Sequence, residues 1–466
     1  MTYNIKNPYG TPGEKQQDMK ITGIVIKADP LNTTRFYLCT GNEVVTVDSD
    51  EELPVEKLLE LSGLYTHYFF KAVESKEVSD KKLEKKVHEF LSFTPPEVKL
   101  FTDAPSLLEM SPLFEKAAEA IAKAVFELRT IKIRYDGDAD GITAGLIMKK
   151  AIESFATSRK IPLFLRCQES GGAVYKEKDW EEDKATLVEG SLLILLDHGA
   201  NQESKEALSN SAKRFEIMVV DHHPPAELHK QHIKHFVSPF NVKNCDEPSS
   251  YNTGMLAFEI SRRLAPNIED AILPYRYYSM QADTSSFRKK EFFPQAVIVD
   301  YLAVTADKPH SLEYYEKTLA NNNLVNELYR EEQLKMQRGL EKAVSKAKVT
   351  EGRIRVVACD VSSVVKKNTY PSLGKLHNAV QIHFSQDEHP TVSLLHTKNN
   401  LSFRANHSAG EKGFSANKII PVLREEYAAH GFTGGGHNVA ASTRFPQDYA
   451  KEIVSTALKM VNQLNE

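Results

Sequence analysis

The stretch Phe215-Glu216-Ile217-Met218-Val219-Val220-Asp221-His222-His223 ends an apolar run on a carboxylate and two imidazoles. Val219 and Val220 read as the last residues of a buried parallel strand, so the polar triplet follows where a strand end meets a loop. In an open α/β sheet that edge is where ligands bind. One such triplet is weak alone, but three other acidic stretches follow apolar runs. Tyr135-Asp136-Gly137-Asp138-Ala139-Asp140-Gly141 is the first, and Asp197 ends Leu192-Leu193-Ile194-Leu195-Leu196. Asp283 stands in Ser279-Met280-Gln281-Ala282-Asp283-Thr284-Ser285-Ser286-Phe287.

Taken singly, Asp197 and Asp283 read as turn or capping residues. Taken together, the four acidic ends predict one cluster on a sheet edge. Packed carboxylates raise each other's pKa unless a cation joins them. Oxygen and imidazole ligands without thiolate suit Mn²⁺ or Mg²⁺ better than structural zinc. A carboxylate shared by two ions about 3.5–4 Å apart makes a two-metal hydrolytic site. The implied chemistry is attack of an activated water on a phosphate ester or anhydride.

Around this centre strands are expected at 130–135, 161–165, 192–196, 215–220 and 235–239. Helices are expected at 113–128, 142–156, 202–212, 253–264 and 270–282. Such alternation means a mainly parallel sheet with helices on both faces. Residues 308–348 read as one or two connecting helices, and a second, smaller α/β region starts at 353. There Gly431-Phe432-Thr433-Gly434-Gly435-Gly436-His437-Asn438 could bring backbone N–H groups to an anion as a nest. A plain tight turn is the commoner meaning of such a run. His437, and Arg404 in Ser402-Phe403-Arg404-Ala405, are candidate phosphate contacts.

Ahead of the sheet, Ile21-Thr22-Gly23-Ile24-Val25-Ile26, the stretches 34–40 and 43–47, and Tyr65-Thr66-His67-Tyr68-Phe69-Phe70 read as short strands. They suggest a small β-barrel, an OB-like one among the forms that fit. Binding of single strands by base stacking and a structural or docking role weigh equally. The lysine-rich run at 79–86 reads as a wet helix face within a linker broken by Pro95-Pro96 and Pro105. The domain boundaries expected are a β-rich module over 1–75, a linker over 76–107, a catalytic domain over 108–307, a helical connector over 308–350 and a substrate-binding domain over 351–466.

The formal net charge of −4 over 466 residues requires any nucleic acid to be held by a local basic groove or through metal ions. Cys39, Cys167, Cys245 and Cys359 form no CxxC pair and read as reduced thiols of a cytoplasmic protein. No apolar run approaches the roughly 20 residues that span a membrane.

These pieces, in this order, resemble the DHH phosphoesterase superfamily, and within it the archaeal RecJ-like nucleases, the GINS-associated group included. Asp221-His222-His223 looks like its name motif and Asp136-Gly137-Asp138-Ala139-Asp140-Gly141 like its first. Asp197 and Asp283 match its remaining ligands, and Gly434-Gly435-Gly436-His437 its associated C-terminal domain. The resemblance implies two lobes flanking a cleft. It assigns one Mn²⁺ (with Mg²⁺ the other choice) to Asp140, Asp197, His222 and Asp283. A second ion falls to Asp138 and Asp197 with Asp136. His223 would stabilise the phosphoryl transition state, Asp221 would orient its neighbours, and Arg404 with 434–437 would hold nucleic-acid phosphates. Many members carry a histidine where this chain has Arg134, which leaves Asp136 to substitute at the second ion. The function implied is a single-strand exonuclease of DNA or RNA in replication or repair, with the GINS complex a candidate partner. A phosphodiesterase for short oligonucleotides or cyclic dinucleotides, and a replication-helicase scaffold, are the alternatives.

Overall fold

The computed structural model describes residues 19–226, 233–243, 245 and 247–465. Residues 1–18, whose sequence reads as a disordered or loosely docked tail, lie outside them. The chain divides into two compact units. The first runs to Ala296 and takes in Ser311–Glu313; the second holds Val297–His310 and Tyr314–Glu466.

The first unit opens with five strands: β1 (Met19–Ala28), β2 (Arg35–Cys39), β3 (Val44–Ser49), β4 (Leu58–Tyr65) and β5 (Phe70–Glu77). They close into a barrel in the order β1-β2-β3-β5-β4, with β3 and β5 parallel. This is the five-stranded closure of an OB-like module, filled by Val25, Phe36, Leu38, Val47, Leu59, Leu61 and Phe70. The strand expected at 65–70 is instead the turn between β4 and β5. The Thr66 hydroxyl accepts from the Tyr68 and Phe69 N–H groups and so ties the turn. The strand that does complete the barrel, β4, is absent from the sequence reading. Helix α1 (Lys81–Phe90) follows, capped by Asp80, with Val87 its one buried residue. Its lysines lie on a wet face as expected.

Helix α2 (Pro105–Phe126) then leads into β6 (Ile131–Asp136), α3 (Ala139–Ser158), β7 (Leu165–Ser170), α4 (Glu177–Thr186), β8 (Leu192–Leu196), α5 (Lys205–Ser211), β9 (Glu216–Val220) and β10 (His235–Val237). The five strands form an all-parallel sheet ordered β10-β9-β8-β6-β7. Every residue of β8 is buried, as a strand covered on both faces must be. Two expectations shift. The strand at 161–165 begins four residues later, at Leu165. Helix α4 escapes the sequence reading, because its apolar content is confined to a few positions such as Trp180. Helices α6 (Thr253–Leu264) and α7 (Glu269–Ala282) pack on α3.

After α8 (Pro294–Thr305), α9 (Leu312–Leu319) and α10 (Asn322–Val344) the second unit builds a six-stranded sheet. It comprises β11 (Lys348–Thr350), β12 (Arg355–Asp360), β13 (Thr391–His396), β14 (Asn400–Ala405), β15 (Thr433–His437) and β16 (Ala440–Arg444), ordered β11-β12-β13-β14-β16-β15. Only β12 and β13 run parallel. Helices α11 (Leu373–Phe384), α12 (His407–Glu411), α13 (Ala416–Tyr427) and α14 (Ala450–Asn462) complete it. The three consecutive glycines are neither a tight turn nor a nest. They are an edge strand, Gly434 facing Thr443 and Gly436 facing Ala441. Among the described residues no helix is long and apolar enough to cross a membrane.

Candidate metal centre

Strand register builds the site. Tyr135 pairs with Leu196, and Leu196 with Val220. The next residues, Asp136, Asp197 and Asp221, therefore emerge side by side at the C-terminal edge of β6, β8 and β9, where an open parallel sheet binds ligands. Asp197 sits at φ +55°, a left-handed conformation that costs a non-glycine residue about 1–3 kcal/mol.

Helix α3 leaves β6 at once. Asp138 is its N-cap, accepting from the Gly141 N–H at 3.0 Å. A Cβ at Gly141 would stand 2.5 Å from the Asp136 carbonyl oxygen, so the turn accepts only glycine. Asp140 lies in the first turn, buried, and four donors hold it. The Thr253 N–H (2.8 Å), the Gly254 N–H (2.8 Å), the Ser279 hydroxyl (2.6 Å) and the Asn252 amide (3.1 Å) all point at its carboxylate. Thr253 and Gly254 open α6, so the positive end of that helix also faces Asp140. The Thr253 hydroxyl donates to Asp197 at 3.1 Å.

Asp221 is buried and accepts the Ala200 N–H (3.2 Å), the His223 N–H (2.9 Å) and, with Nδ1 as donor, the His223 ring (2.9 Å). It fixes His223 rather than facing the centre of the cluster. His222 Nε2 faces three carboxylates, at 3.3 Å from Asp283, 3.5 Å from Asp197 and 3.7 Å from Asp140. Asp283 comes from the C-cap of α7, not from a strand end as the sequence suggests.

Three overlapping groups result, each with ligand atoms within 4.8 Å of one another: Asp197-His222-His223, Asp140-His222-Asp283 and Asp136-Asp138-Asp197. Burial, then the neighbouring Asp197, pushes the Asp136 carboxyl up to about 8. Burial, then Asp197 and Asp283, pushes that of Asp140 up to about 7. Burial opposes the charge on Asp197 as well, but hydrogen bonds from His222 and His223 outweigh it and hold Asp197 below the usual carboxylate range. In return, against burial, the Asp197 hydrogen bond raises His222 to about 9. Protons thus stand where the negative charge is in excess. An oxygen-rich donor set of this kind fits a divalent cation, which supplies that charge without protons.

The structure separates Arg134 from this cluster. Its guanidinium is buried and donates to Asp183 through Nε (2.8 Å) and Nη2 (2.8 Å), with Asp179, Glu182 and Ser170 completing the set. Neither a ligand nor an exposed substrate contact, it ties β6 to α4. The hydrogen-bonding ring around Asp140 (Asn252, Thr253, Gly254 and Ser279) escapes the sequence reading. Asn252-Thr253-Gly254 does carry a helix-start pattern, but nothing local says which carboxylate it meets.

In the second unit Arg404 lies on β14, donating from Nε to Asn378 (2.8 Å) and from Nη1 to the Phe403 carbonyl (3.2 Å). Gly434, Gly435, Gly436 and His437 lie on β15, and Arg424 of α13 donates to the Gly434 carbonyl.

Residues 130–279 match the family profile described as "DHH family, N-terminal domain". An uncharacterized protein of Methanocaldococcus jannaschii is 25% identical over 422 residues, covering 77% of this chain and 55% of the relative. The chain thus spans about half the length of the curated relative it matches. Among solved structures, the DHH domain of a protein assigned to a family of ribosomal proteins superposes with a TM-score of 0.71 at 25% identity, covering 83% of this chain and 99% of that one. RecJ of Thermus thermophilus in complex with Mn²⁺ shares the fold, with a TM-score of 0.50 at 16% identity, covering 79% of this chain and 56% of RecJ.

Proposed function

The chain carries a DHH-family domain over residues 130–279, and on that premise we propose that it is a metal-dependent phosphodiesterase. Its substrate is single-stranded DNA, RNA or both, degraded from an end during replication or repair. The observation that carries this reading is the overlap of the three ligand groups. Asp197 belongs to two of them and His222 to two, as a shared-ligand dinuclear centre requires.

Asp140, Asp197, His222 and Asp283 would hold one Mn²⁺ or Mg²⁺, and Asp136, Asp138 and Asp197 would hold the other. When bound, such ions lower the pKa of a water and neutralise phosphate oxygens. The chain's own residues do the remaining work. The donors around Asp140 keep its carboxylate in place without a search over rotamers. Asp221 fixes the His223 ring and favours its charged form, so that His223 donates to a non-bridging phosphate oxygen as negative charge develops there. Arg404 and the 434–437 strand bind phosphates of the nucleic acid.

End-labelled single-stranded DNA and RNA, digested with Mn²⁺, with Mg²⁺ and with chelator, test this. The expected result is a product ladder with metal and none with chelator. His222→Ala should lose at least 100-fold in rate with the fold intact. Cleavage confined to dinucleotides or cyclic dinucleotides would replace the polymer with a short substrate. No hydrolysis by the metal-loaded protein would overturn the proposal.

A further inference from the structure

The segment that follows Asp283 is held down and carries unpaired positive charge. Residues 284–293 read Thr-Ser-Ser-Phe-Arg-Lys-Lys-Glu-Phe-Phe. The Ser285 hydroxyl donates to the Ser250 carbonyl at 2.6 Å, and the Ser286 hydroxyl to the Ser250 hydroxyl at 2.8 Å. The Phe287 ring lodges against Phe101 and Tyr251. At the far end the Phe293 N–H donates to the Gln281 side chain (2.8 Å), whose amide donates back to the Phe293 carbonyl (2.9 Å). Tyr277 stacks on Phe293.

Between these two anchors stand Arg288, Lys289 and Lys290, all exposed. Lys289 is placed by Tyr277, its Nζ 3.9 Å from the ring centroid. Arg288 and Lys290 have no ion-pair partner among the described residues.

We propose that Arg288, Lys289 and Lys290 form a phosphate track that seats a single strand of nucleic acid next to the carboxylate–histidine cluster. Three observations carry this. First, the chain as a whole is acidic, so a polyanion needs a local cationic surface. Second, the strap is rooted in the site from both sides. It starts at the ligand Asp283, and its serines are pinned to Ser250, two residues before the Asn252 that holds Asp140. Arg288 is five residues from Asp283 and so at most about 18 Å from it, a few nucleotides' reach. Third, pinning both ends spares the strap most of the ordering entropy that a free charged loop loses on binding. The lysines of α1 provide the contrast. Lys85 is paired with Glu89, and the helix has Glu84 in its first turn.

The identity of the ligand rests on the phosphodiesterase reading; the site itself does not. The test is therefore binding without turnover. A fluorescently labelled single-stranded oligonucleotide is titrated with the full chain in chelator, and affinity is followed against salt. The variant Arg288→Ala/Lys289→Ala/Lys290→Ala should bind at least tenfold more weakly, and its log–log salt slope should fall by about 2, at ~0.7 per lost phosphate contact. Arg288→Lys should keep the slope, and Lys81→Ala/Lys82→Ala/Lys85→Ala should bind like the parent. The inference is overturned if the strap variant binds as the parent does, or if the α1 variant weakens as much. Competition by polyglutamate as effective as that by the oligonucleotide would overturn it too, in favour of an acidic protein. A parent chain that binds but never hydrolyses would sink the phosphodiesterase reading and leave the track standing.

Discussion

Arg134 shows how far one side chain can depart from its place in a motif. The sequence sets it two residues before Asp136 and four before Asp138, close to the cluster in number. Alternation alone would keep Arg134 and Asp136 together, since residues two apart leave β6 on the same face; tertiary packing separates them, and Arg134 points under α4. There Asp183, fully buried, takes both Arg134 and, at 2.5 Å, Lys132. Taking away one partner of a buried ionic network costs about 3–5 kcal/mol. Arg134→Ala should therefore lower the urea midpoint strongly while Mn²⁺ binding to the folded protein, read by calorimetry, stays near the parent value. A tenfold loss of Mn²⁺ affinity at unchanged stability would return Arg134 to the site.

At the scale of the element, the β15 glycines separate packing from function. A Cβ at Gly434 would stand 2.8 Å from the Ser442 carbonyl oxygen and 2.6 Å from the Thr443 methyl group. One at Gly435 would meet nothing within 4 Å. Gly434→Ala should cost about 1–3 kcal/mol by forcing β15 off β16. Gly435→Ala should change stability by less than about 0.5 kcal/mol. Thermal unfolding of both variants checks the pair. Because Gly435→Ala leaves the fold alone, any loss of oligonucleotide affinity in it measures close backbone approach to the strand. Helix α7 has a comparable double use. It delivers Ser279 to Asp140, caps itself with Asp283, a proposed metal ligand, and carries the Tyr277 and Gln281 that fasten the basic strap.

For the whole molecule, metal should act as a stabiliser of the unit that holds the cluster. A ligand that binds only the folded state at about 100 times its Kd adds ~2.7 kcal/mol, or roughly 5 °C in the Tm of a large domain. Adding Mn²⁺ should raise the unfolding temperature by that order, chelator should reverse it, and Asp197→Asn should abolish the shift. A Tm indifferent to Mn²⁺ would argue against the centre. Much of this architecture was legible in the chain alone. The apolar runs ending on Asp136, Asp197 and Asp221, with helical spacing between them, determine a parallel sheet whose acidic ends share one edge, because strand alternation and the βαβ crossover are local rules. The barrel was legible as β-rich, though Leu58–Tyr65 was not legible as a strand. What only the tertiary structure decided are the contacts between residues far apart in number. These are the N–H groups of residues 253 and 254 on Asp140, the arrival of Asp283 from a helix end, the burial of Arg134 under α4, and the anchoring of 284–293 to Ser250. Each depends on which surfaces pack together, and packing leaves no periodic mark in the sequence.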